Sequence, residues 1–224
     1  TAFGTGELGA HAREQLEDLG VDVEAIQRDE LQRRGFTFVD GQGERTITII
    51  GEKLVPLAAD PLAWEELGQT DAVYFVSGDA DALRLARRAR VLVATARVLP
   101  TIREAAVQLD ALVRSARDQG ESYTHGDLCP EPRLVVATAG RQGGTWEAFD
   151  GRSGSYEAAP LPGPLEDAYG AGDSFAAGLA FALGRREGAE EAVAFAACRS
   201  AEAMSRRGAH GRDAVRPAGR PASG

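Results

Sequence analysis

Short apolar runs that alternate with helix-like segments constrain the fold of this chain more than any other feature. The runs Val73–Val76, Val91–Ala94 and Leu134–Ala137 are almost wholly apolar. A strand that is apolar on both sides is typical of a parallel sheet whose two faces are covered. Helices are predicted over about 80–89 and 101–109 from their apolar spacing. The sequence therefore predicts an α/β protein with helices on both faces of a mostly parallel sheet.

Hairpins and further helices are predicted on either side of this alternation. The β-rich runs Phe36–Val39 and Thr46–Ile50 surround a polar, glycine-containing loop, which indicates a hairpin. A second hairpin is predicted between the strand at 134–137 and Trp146–Phe149. Helices are predicted over about 10–19, 174–183 and 190–206.

Charge and cysteine content exclude several classes of protein. The 224 residues carry a formal net charge of −9, which argues against a nucleic-acid partner. Only Cys129 and Cys198 occur, far apart and without metal-ligand spacing, so we expect no disulfide scaffold and a cytoplasmic location. No apolar run approaches membrane-spanning length, and we expect no membrane partner.

A glycine turn before a predicted helix carries the first candidate site. Gly170, Ala171 and Gly172 precede Asp173 and an apolar run of small residues. The free N–H groups and dipole of a helix N-terminus favour an anion, and a carboxylate there can accept a proton from a hydroxyl group. The alternative is an ordinary helix cap, in which the aspartate has only a structural role.

A second glycine loop follows the strand at 134–137. In Thr138–Gly143 the glycines Gly140 and Gly143 would let the backbone approach phosphate, and Arg141 would add positive charge. Read alone, the loop is better explained as an ordinary tight turn into the strand at 144–149. A Gly-Lys-Ser/Thr sequence is absent, which excludes a Walker-type loop, and the spacing required for dinucleotide binding is incomplete.

The stretch from Asp167 to Gly178 resembles the C-terminal signature of the PfkB/ribokinase family, roughly Asp-Thr-x-Gly-Ala-Gly-Asp-x-Phe-x-x-Gly. The matching residues are Asp167, Gly170, Ala171, Gly172, Asp173, Phe175 and Gly178. Ala168 stands where the family usually has threonine. The Thr138–Gly143 loop resembles the family's nucleotide loop, and it lies in the family's order before this signature. The resemblance covers about residues 2–211.

The resemblance implies a ribokinase-like three-layer α/β/α sandwich that uses ATP and Mg²⁺. It implies the following roles: Asp173 as catalytic base; Gly170, Ala171 and Gly172 as anion hole; Thr138, Gly140, Arg141 and Gly143 as triphosphate loop; Ala197, Gly208 and Ala209 as part of the adenine pocket; and Asp167 as part of a monovalent-cation site for K⁺.

The implied activity is phosphorylation of a sugar hydroxymethyl group. Two alternatives remain: a nucleoside kinase of the same fold, and a degenerate binding protein that has lost catalysis. The second is favoured by one departure, because the family's Asn-x-x-Glu element aligns best with Ala116–Gln119, which has neither residue. Asp118 and Glu121 are the candidate substitutes. A small-molecule substrate and a homodimer are expected.

The resemblance also begins part-way into the family fold. The family's first strands, its Gly-Gly sugar motif and part of its lid precede the matching region. We therefore expect residues 1–211 to form an N-terminally incomplete kinase core and residues 212–224 to form a disordered tail. Expressed alone, the 224 residues are expected to be poorly soluble and inactive on sugars.

Overall fold

The computed structural model describes residues 1–39 and 45–206. These residues form two compact units, Thr1–Ala63 and the described part of Trp64–Val215. Each unit has sheets of its own.

The first unit combines a βαβ segment with a hairpin. Strand β1 (Ala2–Thr5) pairs in parallel with β2 (Ile26–Leu31), and α1 (Glu7–Asp18) connects them. The hairpin consists of β3 (Arg34–Val39) and β4 (Arg45–Ile50), paired antiparallel as the sequence predicts. The strands β1 and β2 were not predicted, because β2 reads Ile-Gln-Arg-Asp-Glu-Leu and has little apolar content.

The second unit is built around one six-stranded sheet. Its strands are β5 (Ala72–Phe75), β6 (Val91–Thr95), β7 (Ala111–Ser115), β8 (Leu134–Thr138), β9 (Gly144–Ala148) and β10 (Ser153–Tyr156). They lie in sequence order across the sheet, with β5 to β8 parallel and β9 and β10 antiparallel. The predicted hairpin of β8 and β9 is confirmed, and it extends the parallel sheet by two antiparallel strands.

Four helices accompany this sheet: α2 (Ala80–Ala86), α3 (Leu99–Ala105), α4 (Ala171–Gly184) and α5 (Ala189–Met204). Asp79 caps α2, since its Oδ1 accepts a hydrogen bond of 2.8 Å from the N–H of Ala82. Helix α3 ends before Leu109, the predicted end, because Ala106 adopts a left-handed conformation with φ of 51°.

Burial on both faces of the sheet produces three layers. One face of β6 to β8 packs Val93, Val113 and Val136 into a core with α4 and α5. On the other face, Leu92 is fully buried, as are Leu83 of α2 and Ile102 of α3. The fold is thus the predicted α/β/α sandwich. None of the helices in the described part of the chain is both long and apolar enough to cross a membrane.

Candidate active site

Functional side chains meet at the carboxyl ends of the parallel strands. Tyr74 lies near the end of β5, Thr95 ends β6 and Ser115 ends β7. Because parallel strands end at one edge of a sheet, ligands of such proteins bind at this edge. Helix α4 begins beside it, and Asp173 lies in the first turn of that helix.

Asp173 is exposed, and it is oriented by a phenol from the sheet. Its Oδ1 accepts a hydrogen bond of 2.9 Å from the hydroxyl of Tyr74. Burial raises the pKa of Tyr74 well above its usual value, and the negative charge of Asp173 raises it further. Tyr74 therefore remains a protonated donor at neutral pH. Thr95 of β6 acts in the opposite direction and slightly lowers the pKa of Tyr74.

Arg97 provides a fixed positive charge near this carboxylate. Its Nε donates a hydrogen bond of 2.6 Å to Oε1 of Glu121. Glu121 is only 6% exposed, and its Oε2 accepts a hydrogen bond of 2.8 Å from the N–H of Ser115. The hydrogen bond to Glu121 is the largest effect that raises the pKa of Arg97, and the charge of Asp173 adds to it. The guanidinium group stays largely exposed and can reach a bound anion.

The N-terminus of α4 has the properties of an anion hole. Gly170 is its N-cap residue, with a left-handed φ of 80° that favours glycine. No side chain caps the helix there. The first N–H groups of a helix have no intrahelical acceptor, so those of Gly172 and Asp173 are available to a phosphate oxygen.

The Thr138–Gly143 loop is a tight turn with two glycines in left-handed backbone conformations. Gly140 has φ of 62° and Gly143 has φ of 73°. A Cβ atom on Gly143 would lie 1.9 Å from the carbonyl oxygen of Tyr156, which no side chain could tolerate. The N–H of Ala139 donates a hydrogen bond of 2.7 Å to the carbonyl of Gly143 and closes the turn.

One pocket of about 130 Å³ joins this loop to α4 and α5. It brings together six residues that the sequence predicts to be in the site: Thr138, Gly140, Gly143, Ala171, Gly172 and Ala197. Phe175 belongs to the family signature, and Ser200, Ala201 and Met204 lie in the same predicted helix as Ala197. Sequence reasoning missed Tyr156, Ala158 and Ala159, which complete the lining and follow no local pattern that indicates a site.

The remaining predicted residues lie elsewhere. Arg141 is exposed and does not line the pocket. The Oδ1 of Asp167 accepts a hydrogen bond of 2.8 Å from the N–H of Tyr169, which orders the turn before α4. Gly208 and Ala209 lie outside the described residues, as does the predicted tail at 212–224.

In the segment that stands in place of the family's Asn-x-x-Glu element, the two candidate substitutes have different surroundings. Asp118 caps a short 3₁₀-helix, Gln119–Glu121, by accepting a hydrogen bond from the N–H of Gly120. Glu121, the other candidate substitute, is held by Arg97 and Ser115. Its contribution to the site was visible in sequence only as an isolated glutamate, because its partners are far away along the chain.

Comparisons with known proteins agree with this geometry. The profile of the pfkB family carbohydrate kinases matches residues 98–213, just over half of the chain. Ribokinase from Thermotoga maritima aligns with a TM-score of 0.76 and 22% identity over 93% of this chain and 75% of its own length. No curated protein matches the chain in sequence.

Nucleoside kinases share the same fold. The Burkholderia thailandensis nucleoside kinase, in complex with inosine, aligns with a TM-score of 0.66 and 14% identity over 92% of this chain and 73% of its own. Adenosine kinase from Schistosoma mansoni, in complex with 2-fluoroadenosine, reaches a TM-score of 0.72 at 14% identity, with the same coverage of the two chains. At these identities the likeness shows a common fold.

Proposed function

Because this chain belongs to the pfkB family of carbohydrate kinases, we propose that it transfers the γ-phosphoryl group of ATP to a hydroxymethyl group of a sugar. The observation that carries the proposal is the position of Asp173. Its carboxylate is exposed at the N-terminus of α4, is hydrogen-bonded by Tyr74 and lies near the charge of Arg97.

The proposed chemistry uses Asp173 as a general base. The carboxylate accepts the proton of the sugar hydroxymethyl group, and the freed oxygen bonds to the γ-phosphorus. The bond from that phosphorus to the β–γ bridging oxygen breaks, and ADP leaves. The N–H groups of Gly172 and Asp173 and the guanidinium group of Arg97 stabilise the negative charge on the transferred group.

The nucleotide is proposed to lie in the pocket between the Thr138–Gly143 loop and α5. Its triphosphate would run along Gly140 and Gly143 toward the N-terminus of α4. Its base would lie against Ala197 and the neighbouring small side chains of α5, where a flat ring can approach the helix. Phe175 and Tyr156, whose rings stack with centroids 5.7 Å apart, form the pocket wall toward the sheet.

Mg²⁺ fits this site as a companion of the nucleotide. No group of three or more histidine, cysteine, aspartate and glutamate side chains that could hold a metal ion occurs in residues 1–39 and 45–206. Mg²⁺ keeps several waters and binds substrate phosphates with few protein ligands, so we propose that it enters the site with the nucleotide. When bound, the ion neutralises phosphate charge. We assign the K⁺ site to the turn at Asp167 on the resemblance alone.

Two other functions remain to be distinguished from sugar phosphorylation. A nucleoside kinase would use the same base and anion hole, and solved nucleoside kinases share the fold. A non-catalytic binding protein would explain the changed Ala116–Gln119 segment. Against that alternative, the largely exposed Arg97 forms an ion pair with the buried Glu121 near Asp173, which supports a charged, organised site at the place where the family element is altered.

The deciding experiment is a substrate panel on the full-length protein. Thermal unfolding with ATP and Mg²⁺, with and without each sugar or nucleoside, measures binding, because a ligand of the native state raises the melting temperature. ADP release measures transfer. We expect a sugar to give both signals. ADP release with nucleosides alone would establish the nucleoside kinase, and binding without any ADP release would establish the non-catalytic alternative.

We further propose that the protein forms a homodimer through the β3–β4 hairpin. Phe36, Phe38, Ile47 and Ile49 of this hairpin are each about half exposed or more. Their alternation places apolar side chains on both faces of a two-stranded ribbon. Such a ribbon is only marginally stable in water unless another surface packs against its apolar side chains. A second copy of the same ribbon supplies a matching apolar cover.

A further inference from the structure

The outer face of β8 to β10 forms a polar surface opposite the α4–α5 core. Along β9 and β10 the residues alternate, so that Thr145, Glu147, Ser153 and Ser155 are exposed while their neighbours face the core. In β8, Val136 packs into that core and Ala137 faces the other way. This arrangement by itself would be an ordinary solvated sheet face.

A loop wall turns part of this face into a pocket. Residues Tyr123–His125 stand over the strands and help enclose about 420 Å³. The rings of Tyr123 and His125 meet edge to face, with centroids 6.0 Å apart. His125 is held from two sides, since its Nδ1 lies 3.0 Å from Oε2 of Glu131 and its Nε2 lies 3.4 Å from Oε2 of Glu147. The wall is therefore tied to β9.

Two polar groups of this pocket are left without protein partners. Tyr123 is 6% exposed, and its hydroxyl has no hydrogen-bond partner among the described residues. A buried hydroxyl without a partner is costly. Arg114 of β7 is half-buried on the same face, and its guanidinium group forms no ion pair within the described ranges.

Opposite charges occupy different ends of the pocket. Arg114, Ala137, Thr145 and Ser155 pair in one row across four strands. Glu147 lies two residues further along β9, which places its Cα about 12 Å from that of Arg114, given ordinary strand spacing. The side chain of Ala137 is small, so no bulky group stands between Arg114 and Glu147 at the bottom of the pocket. Glu147 thus stands at one end of the pocket and Arg114 at the other.

We propose that this pocket binds a small zwitterion of the free amino acid class. The ligand carboxylate would pair with Arg114, which suits bidentate recognition, and the ligand ammonium group would pair with Glu147. The hydroxyl of Thr145 would supply a hydrogen bond between these ends. The pocket lies on the opposite face of the sheet from the proposed nucleotide site, so this binding does not depend on the proposed kinase activity.

The test is direct binding of the twenty protein amino acids to the full-length protein. Calorimetry and amide shifts of β9 residues in NMR spectra are suitable measurements, and neither depends on catalysis. We expect at least one amino acid to bind with a dissociation constant of about 1 mM or tighter. The corresponding amine without the carboxylate and the corresponding acid without the ammonium group should each bind about tenfold more weakly or worse.

Charge-neutral variants then assign the two ends of the pocket. Arg114→Gln and Glu147→Gln should each weaken the binding about tenfold or more. Arg88→Gln and Glu190→Gln, which remove exposed charges elsewhere in the same unit, should leave it unchanged. The proposal is overturned if no amino acid binds, if a singly charged analogue binds equally well, or if neither pocket variant lowers the affinity.

Discussion

At the scale of single residues, the candidate site depends on contacts between residues distant in sequence. Asp173 and Tyr74 are 99 positions apart, and Arg97 and Glu121 are 24 apart. The aspartate could be predicted because its signature is local. Glu121 was predicted only as a candidate substitute in the altered family element. Tyr74 and Arg97 could not be predicted, because a tyrosine within an apolar strand and an isolated charge have no distinguishing local pattern. Their roles arise only when β5, β6 and β7 end side by side.

Asp173 is the residue on which the proposed reaction depends. Asp173→Asn keeps the size of the side chain and removes its basicity, so we expect the turnover rate to fall about a hundredfold or more while ATP binding stays within a few-fold. Steady-state kinetics and calorimetry measure the two quantities. Asp150→Asn, at an exposed turn, is the matched control and should keep full activity. A near-normal rate in Asp173→Asn would exclude the aspartate as base.

Tyr74 is predicted to position Asp173 rather than to react. Tyr74→Phe removes only the hydroxyl that donates to Oδ1 of Asp173. Since the carboxylate then loses its fixed orientation, we expect kcat to fall about tenfold with KM for ATP unchanged. A role limited to packing would lower the melting temperature without this selective effect on kcat. Unchanged kcat in a folded Tyr74→Phe protein would contradict the assignment.

At the scale of elements, the two glycine turns were predictable because each is encoded within a few consecutive residues. The structure adds the reason for each glycine. Gly143 leaves no room for a side chain, whereas Gly140 has room but requires a left-handed backbone, with Nη1 of Arg117 as its nearest neighbour at 3.4 Å. This difference makes Gly140 the better position for testing the loop, since its substitution leaves the fold intact.

Gly140→Ala should weaken ATP binding through the backbone of the loop. Alanine in the left-handed conformation costs about 1–2 kcal/mol, and the loop is expected to relax away from the phosphate path. Gly151→Ala is a matched control, because Gly151 also has positive φ, at 85°, with no atom near its Cβ position, and it lies in the turn between β9 and β10. Both variants should lose similar stability in thermal unfolding. Equal ATP affinity in the two variants would show that the Thr138–Gly143 loop does not bind the nucleotide.

The stability of the loop wall at Tyr123–His125 should depend on pH. Hydrogen bonds to Glu131 and Glu147 raise the pKa of His125 above its usual value. The protonated histidine therefore stabilises the loop wall fully below pH 6.5, and this stabilisation is lost as the pH rises through the raised pKa. The pKa of Glu131 is lowered in turn, chiefly by its hydrogen bond with His125. Amide hydrogen exchange in residues 122–133, corrected for intrinsic rates, should therefore be slower at pH 6 than at pH 8. His125→Gln should remove this difference, and a difference that persists would exclude the histidine as its source.

At the scale of the whole molecule, patterns that repeat along the chain were predictable and isolated strands were not. The central parallel strands were identified from their apolar character, and both hairpins were placed correctly. The strand β10, with the sequence Ser-Gly-Ser-Tyr, was missed because it forms only by pairing with β9 at the edge of the sheet. The same reason explains the missed strands β1 and β2. Local sequence thus predicts the apolar strands, and strands with little apolar content form only where a pairing partner is present.

The last prediction concerns association between copies of the protein. If the β3–β4 ribbon pairs with its counterpart, sedimentation of the full-length protein should show a dimer that dissociates on dilution. Phe36→Ser removes an apolar side chain that is 63% exposed in this ribbon and should weaken the dimer about tenfold or more, which is typical when a buried aromatic contact is lost at an interface. Phe149→Ser changes an even more exposed phenylalanine, 73% exposed, in the other unit and should leave association unchanged. A protein that remains monomeric at all concentrations, or a dimer indifferent to Phe36→Ser, would show that the ribbon does not mediate self-association.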